Sequence, residues 1–322
     1  MKRVLLFAAW MASAAAAPDA CVRCHRAETA RFAGSGMTRA LVPTRDSAVL
    51  RENPELTAQI GPYSYKIAAQ TLSVADGKET LRVPLEWAFG QGSVGQTFLF
   101  RRDGRWHESR VSYYATLKKL DLTMGAQNVT PRNLAEAAGR PVSPAESAGC
   151  FDCHATRVVK SPVLDLARMV EGIQCERCHG GAETHLSKLT PMRKLSALGA
   201  EEMSDFCGQC HRTWSQVASA GPRGIQNVRF QPYRLAISKC YDAADRRIRC
   251  TACHDPHRDL EISAAAYDAK CIACHSGSQP VCKVAARDCV TCHMPRLDLP
   301  GAHRAFTDHK IRIVTPGEAY PD

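Results

Sequence analysis

Aromatic side chains are scarce here: Phe, Tyr and Trp together supply 7% of 322 residues. A chain this long suggests one to three domains, yet it has few of the large flat side chains that usually fill cores. Long apolar runs are missing too. After the first 17 residues nothing approaches the roughly 20 apolar residues of a membrane-spanning helix, which excludes a later span of that kind. Cysteine outside one repeated pattern is almost absent, being limited to Cys240 and Cys282. That argues against a disulfide framework, which has no need of such a pattern. A nucleotide fold lacks support as well. Gly90, Gly92 and Gly95 spell GxGxxG, but the residues that follow, QTFLF, read as a strand where a dinucleotide site needs a helix.

The first residues, MKRVLLFAAWMASAAAAPDA, have a positive start, a short apolar core and small residues for cleavage. Residues 1–17 are expected to be a secretory signal peptide. Export to a periplasmic or extracellular location follows, with no direct membrane span.

What the sequence has in abundance is C-x-x-C-H. The motif occurs as CVRCH, CFDCH, CERCH, CGQCH, CTACH, CIACH and CVTCH. The seven copies take fourteen of sixteen cysteines and seven of twelve histidines. C-x-x-C-H is the attachment signature of c-type haem. Two thiols on one turn can bond the two vinyl groups on one porphyrin edge, and the next histidine meets the iron. Structural zinc needs closed four-ligand sites, a thioredoxin-like motif is a single CxxC, and iron–sulfur ligation does not require the histidine. The expected cofactor is therefore haem c, seven copies, covalently bound. Its thioether residues are Cys21, Cys24, Cys150, Cys153, Cys175, Cys178, Cys207, Cys210, Cys250, Cys253, Cys271, Cys274, Cys289 and Cys292. Its proximal iron ligands are His25, His154, His179, His211, His254, His275 and His293.

Five histidines remain as distal candidates: His107, His185, His257, His303 and His309. Each also reads as an ordinary surface histidine. His185 and His257 follow a proximal histidine by too few residues to reach round its own porphyrin, so they are expected to serve haems of other motifs. Five ligands cannot serve seven irons. Met37 is the methionine candidate, with core packing as its alternative, and at least one iron is expected to be five-coordinate. Cys240 and Cys282, in an exported chain, are a disulfide candidate.

Six motifs fall within residues 150–293, about 24 residues each, too few to build a separate core around every cofactor. The expected fold is mainly short α-helices and irregular loops around stacked haems, with a β-rich N-terminal insertion. The expected segments are a first haem-binding stretch at 18–45, a β-rich subdomain at 46–130, a six-haem region at 131–315 and a tail at 316–322. Three to five antiparallel strands are predicted over roughly 55–125, where VADGKE and RRDGRW mark turns. Helices are predicted to run into CFDCH and CGQCH, with Ser143 and Ser196 as N-caps. The formal charge is +10, and haem propionates, up to about fourteen, are a closer counter-charge for Arg and Lys than nucleic acid is.

These residues resemble a known group. CERCHGGAETH resembles the CxxCHGxGxxH stretch of cytochrome c-554-like proteins, and CTACHDPH with YDAKCIACH resembles the doubled-CxxCH multihaem cytochromes. FGQGSVGQTFLF and SYYATLKKLDLT are similar to the β-rich insertion of some exported multihaem cytochromes. The resemblance implies distal ligation by His185 and His257. It further implies electron carriage between redox partners, either other cytochromes or a membrane-bound reductase or oxidase. The group also includes enzymes acting on small nitrogen or sulfur compounds, and the shortfall of ligands keeps open an oxidoreductase working at one five-coordinate haem. Independently of the resemblance, the β-rich region 55–125 leaves open a structural or docking subunit that binds a partner complex. Some enzymes of the group carry CxxCK, which is absent here: Gln279 stands where Cys282-Lys283 would need the first cysteine. That departure favours the carrier.

Overall fold

Residues 18–158, 164–276 and 282–321 are described by the computed structural model; the expected leader, 1–17, lies outside them. The β-rich part forms because its sequence alternates. In β3 (Tyr63–Ala68), Tyr63, Tyr65 and Ile67 point inward and Ser64 and Lys66 outward, the period-two pattern of a strand with one buried face. Ten strands join in one antiparallel sheet. With β3 they are β1 (Leu41–Pro43), β2 (Glu55–Ile60), β4 (Thr71–Ala75), β5 (Thr80–Phe89), β6 (Gly95–Arg102), β7 (Arg105–Ser109), β8 (Val111–Tyr114), β9 (Lys119–Leu122) and β10 (Gly139–Pro141). The order is β10-β7-β6-β5-β4-β3-β2, with β1 on β5 and β8 between β6 and β9. Eight of these strands lie within 55–122, more than the three to five expected, because the strands are short and tight turns join them. β1 and β10 extend the sheet to either side of the region that the sequence marks as β-rich.

A bulge in β5 divides the two faces. The register with β6 shifts between Leu85 and Trp87, so one residue is inserted and the alternation flips. Val83, Leu85 and Ala88 consequently share one face with Phe98 and Phe100 in the larger core. Trp87 and Phe89 turn to the other face, where Leu41, Leu99, Trp106 and Phe151 meet them. Phe151 lies inside CFDCH and is fully buried. Its ring sits 5.7 Å from Trp87, 5.3 Å from Phe89 and 5.7 Å from Trp106. The bulge thus fixes where the second motif docks on the sheet. Gly90 and Gly92, both with φ near 90°, turn the chain from β5 into β6, so the GxGxxG letters lie in an antiparallel connection.

The rest is short helices. Pro144–His154 ends on CFDCH and Ala200–His211 on CGQCH. Ser143 caps the first, its hydroxyl accepting from the Glu146 N–H at 3.1 Å while the Glu146 carboxylate takes the Ser143 N–H. Ser196 does not cap the second. Gly199 does, donating its N–H to Glu202 at 2.8 Å, because the Ser196 carbonyl is held in a 3₁₀ turn by Arg246 and Arg249. Cys175–His179, Cys250–Cys253 and Cys289–His293 are helical turns made of the motif itself. No helix among the described residues is long and apolar enough to cross a membrane.

Leu72, at the centre of β4, is fully buried in the larger core. Leu72→Ala is expected to destabilise the sheet by about 2–5 kcal/mol, read as a lower denaturant midpoint in intrinsic fluorescence with haem content unchanged.

Candidate functional site

In each motif the histidine follows from a helical turn that opens at the first cysteine. The N–H of the histidine donates to that cysteine's carbonyl at 2.8 Å in CVRCH and 2.9 Å in both CTACH and CIACH. Residues i and i+3 share a helix face, so both thiols project together and the imidazole follows beside them.

The motifs are neighbours in space. Cys21 lies beside Cys175, Cys178 faces Cys210, and Cys207 lies beside Cys250. Cys253 faces Cys271, and Cys271 lies against Cys289. CFDCH joins this series from the sheet side through Cys153 and Cys210. Between CFDCH and CERCH, Arg157 pairs with Glu176 at 2.6 Å and Arg177 with Asp152 at 3.5 Å. Thr156 bridges the two motifs as well, donating to the Gly172 carbonyl and accepting from the Gln174 N–H.

Three spare histidines meet motif histidines from remote parts of the chain. His185 faces His25 with ring centroids 6.3 Å apart. His257 faces His179 at 6.0 Å, the rings only 4° from parallel, and His309 faces His254 at 6.2 Å. Two metal–imidazole bonds of about 2.0 Å, plus ~1.1 Å from each nitrogen to its ring centre, span about 6.2 Å. A single iron between each pair fits that gap. The Nδ1 atoms point away from it. They lie 2.7 Å from the Thr190 carbonyl for His185, 3.0 Å from the Thr307 carbonyl for His309, and 3.6 Å from an Asp255 carboxylate oxygen for His257. The motif histidines His154 and His293 do likewise, with Nδ1 2.9 Å from the Ala40 carbonyl and 2.8 Å from the Arg312 carbonyl. A carbonyl can only accept, so Nδ1 carries the proton and Nε2 keeps its lone pair for a metal. Burial pushes His154, His211 and His254 below the usual histidine range, and His309 down to about 4. The neutral imidazole is the form that ligates.

The other two spare histidines do not face a motif. His303 turns Nε2 to Asp121 at 3.1 Å and packs its ring on Tyr114. His107 stacks on Phe100, 5.3 Å away, on the sheet face opposite Trp106 and CFDCH; strand alternation aims it there. Met37 is half-buried in the segment between the first and second motifs, and its carbonyl accepts from the N–H of Ile173, between the second and third, at 2.9 Å. Cys240 and Cys282, the disulfide candidates, are free and exposed. Cys240 lies instead beside Cys271 and Cys274, and backbone N–H groups of Val284 and Ala285 hold the Cys282 thiol below its usual range.

Three buried guanidiniums carry no signal of their own in the sequence. Arg157 Nη2, Arg177 Nε and Arg229 Nε are buried with no hydrogen-bond partner among the described residues. Burial and the neighbouring Arg212 both work against the charge of Arg229. Such donors suit carboxylates, and haem brings two propionates. The Arg surplus was the one signal available, and it does not say which arginines are buried.

The model of the family Cytochrome c554 and c-prime matches residues 105–180, from β7 through CFDCH and CERCH. The multiheme cytochrome MtrA of Shewanella baltica (strain OS185) is 26% identical over 195 residues, 52% of this chain and 50% of that protein. The chain thus spans about half the length of that curated relative. The crystal structure of the outer cell wall cytochrome OcwA aligns with a TM-score of 0.57 over 91% of this chain and 78% of that one, at 13% identity. That likeness shows a multihaem cytochrome fold.

Replacing Arg229 by Leu removes a positive charge beside the motifs. The less positive ferrous state then loses support, so one haem potential is expected to fall by on the order of tens of millivolts in a spectroelectrochemical titration.

Proposed function

We propose that this chain, a multihaem c-type cytochrome, is an exported seven-haem carrier that passes electrons between redox partner proteins. The observation that carries the proposal is the set of three imidazole pairs 6.0–6.3 Å apart. Haem c, when bound, supplies one-electron exchange at its iron. The protein's own residues do the rest. Each CxxC pair would tether a porphyrin edge through two thioethers, and the adjoining histidine would hold the iron from one side. His185, His257 and His309 would close the other side at the first, third and fifth motifs. Two strong ligands leave no open position, which suits electron carriage better than substrate turnover. Buried arginines would receive the propionates, and the unbroken succession of neighbouring cysteines supports a relay along the chain. An exported location agrees with the leader-like start. The cell-wall placement in the name of the structural relative is a property of that protein.

A second reading has one observation in its favour. With three spare histidines taken and two turned elsewhere, no imidazole among the described residues stands about 6 Å from His154, His211, His275 or His293 in the way it does at the other three motifs. Any iron there that also lacks methionine would be open to a small nitrogen or sulfur compound. A shift of one haem band by nitrite, cyanide or carbon monoxide would favour this oxidoreductase reading.

The carrier reading expects the mature protein to exceed its polypeptide mass by seven covalent haems and to take up about seven one-electron equivalents on reduction. His185→Ala, His257→Ala and His309→Ala should each turn one haem high-spin by electron paramagnetic resonance. His303→Ala and His107→Ala should leave the spectrum as it was. A colourless product of bare polypeptide mass would end this reading.

A further inference from the structure

Arg234 and Asp308 are both wholly buried. They form a bidentate pair, Nε to Oδ1 at 2.8 Å and Nη2 to Oδ2 at 2.9 Å. A buried ion pair is a poor source of net stability, because desolvation offsets its attraction. What it holds in place matters more. Asp308 Oδ1 also accepts from the Lys310 N–H at 3.0 Å, and Oδ2 from Arg312 Nη1 at 2.7 Å. Four donors thus fill the roughly four acceptor sites of the carboxylate. The remaining Arg234 nitrogen, Nη1, donates to the Pro321 carbonyl at 2.7 Å and to Asn227 Oδ1 at 3.3 Å. Ser238 completes the clasp, donating to the His309 carbonyl at 3.0 Å and accepting from the Ile311 N–H at 2.8 Å.

Most of these bonds converge on residues 308–312, and that segment touches two motifs. His309, next to Asp308, faces His254 at 6.2 Å. Arg312 exchanges bonds with His293: its carbonyl takes Nδ1 at 2.8 Å and its N–H reaches the His293 carbonyl at 3.2 Å. We propose that the Arg234–Asp308 pair is a positioning device for two haem sites at once, holding His309 in line with His254 and holding the carbonyl that orients His293. The inference rests on the haem-carrier reading above and adds to it residues that touch no cofactor.

Asparagine at 308 keeps the shape but turns one acceptor oxygen into a donor facing cations. In the haem-loaded full chain, Asp308→Asn is expected to keep every covalent haem by mass. One haem should turn high-spin and return to low-spin on adding free imidazole, and a second should shift in potential. The double variant Arg234→Met/Asp308→Leu separates positioning from stability, because it removes both charges while keeping apolar volume. It is expected to melt near the wild type and to show the same high-spin haem and the same shifted potential. Wild-type spectra and potentials in both variants would overturn the proposal. If His309→Ala itself left every haem low-spin, the ligand reading beneath would fall, and the proposal with it.

Discussion

An iron that takes two imidazoles on opposite sides imposes one distance, and this chain meets it three times between segments far apart in sequence. His25 with His185, His179 with His257, and His254 with His309 sit at 6.3, 6.0 and 6.2 Å. Much of the surrounding structure serves that spacing. Helical turns set each motif histidine beside its thiols. Backbone carbonyls take the Nδ1 protons of His185 and His309, so the orientation of those rings depends on main-chain geometry and less on side-chain packing. A buried carboxylate anchors the C-terminal segment from which His309 projects.

Two kinds of interior lie side by side. The sheet has an ordinary one, with Leu72, Val74, Phe98 and Phe100 wholly buried. The stretch around the fifth and sixth motifs has little: Leu260, Ile262 and Val284 are 62%, 85% and 92% exposed. With so few residues per motif, side chains there have little protein to pack against. Phe151 joins the two regimes. It belongs to CFDCH, yet its ring lies in the aromatic cluster that the β5 bulge turns outward. The sheet therefore acts as a wall for the second motif, and Arg140, bonded to both Glu108 and Glu146, ties the wall to the helix that carries it.

The sequence was legible where chemistry is local. The arrangement within CxxCH could be read because one helical turn places the two cysteines and the histidine within five contiguous residues. The Ser143 cap could be read because hydroxyl and carboxylate lie three residues apart. Legibility failed where partners are distant. His303 and His309 sit six residues apart in one tail, yet one turns to Asp121 and the other to His254. Nothing in GAHRAFTDHK separates them, since the difference lies in what packs against each. Ser196 looked like a cap until Arg246 and Arg249 claimed its carbonyl. Cys240 and Cys282 looked like a pair by elimination, but Cys240 lies against the sixth motif. A single inserted residue in β5 decided which aromatics face a motif, and no composition or period announces such an insertion.

By itself, then, the sequence determined which residues can carry haem, how each thiol pair and histidine are arranged locally, and that a strand-rich segment separates the first motif from the others. These follow from covalent spacing and hydrogen bonds within one turn of chain. Only the tertiary structure decided which imidazole stands opposite which, which arginines are buried without a partner, and that Asp308 grips the segment bearing His309. Those arrangements join residues dozens to more than a hundred positions apart, where many weak contacts sum to fix a distance that no stretch of chain can specify alone.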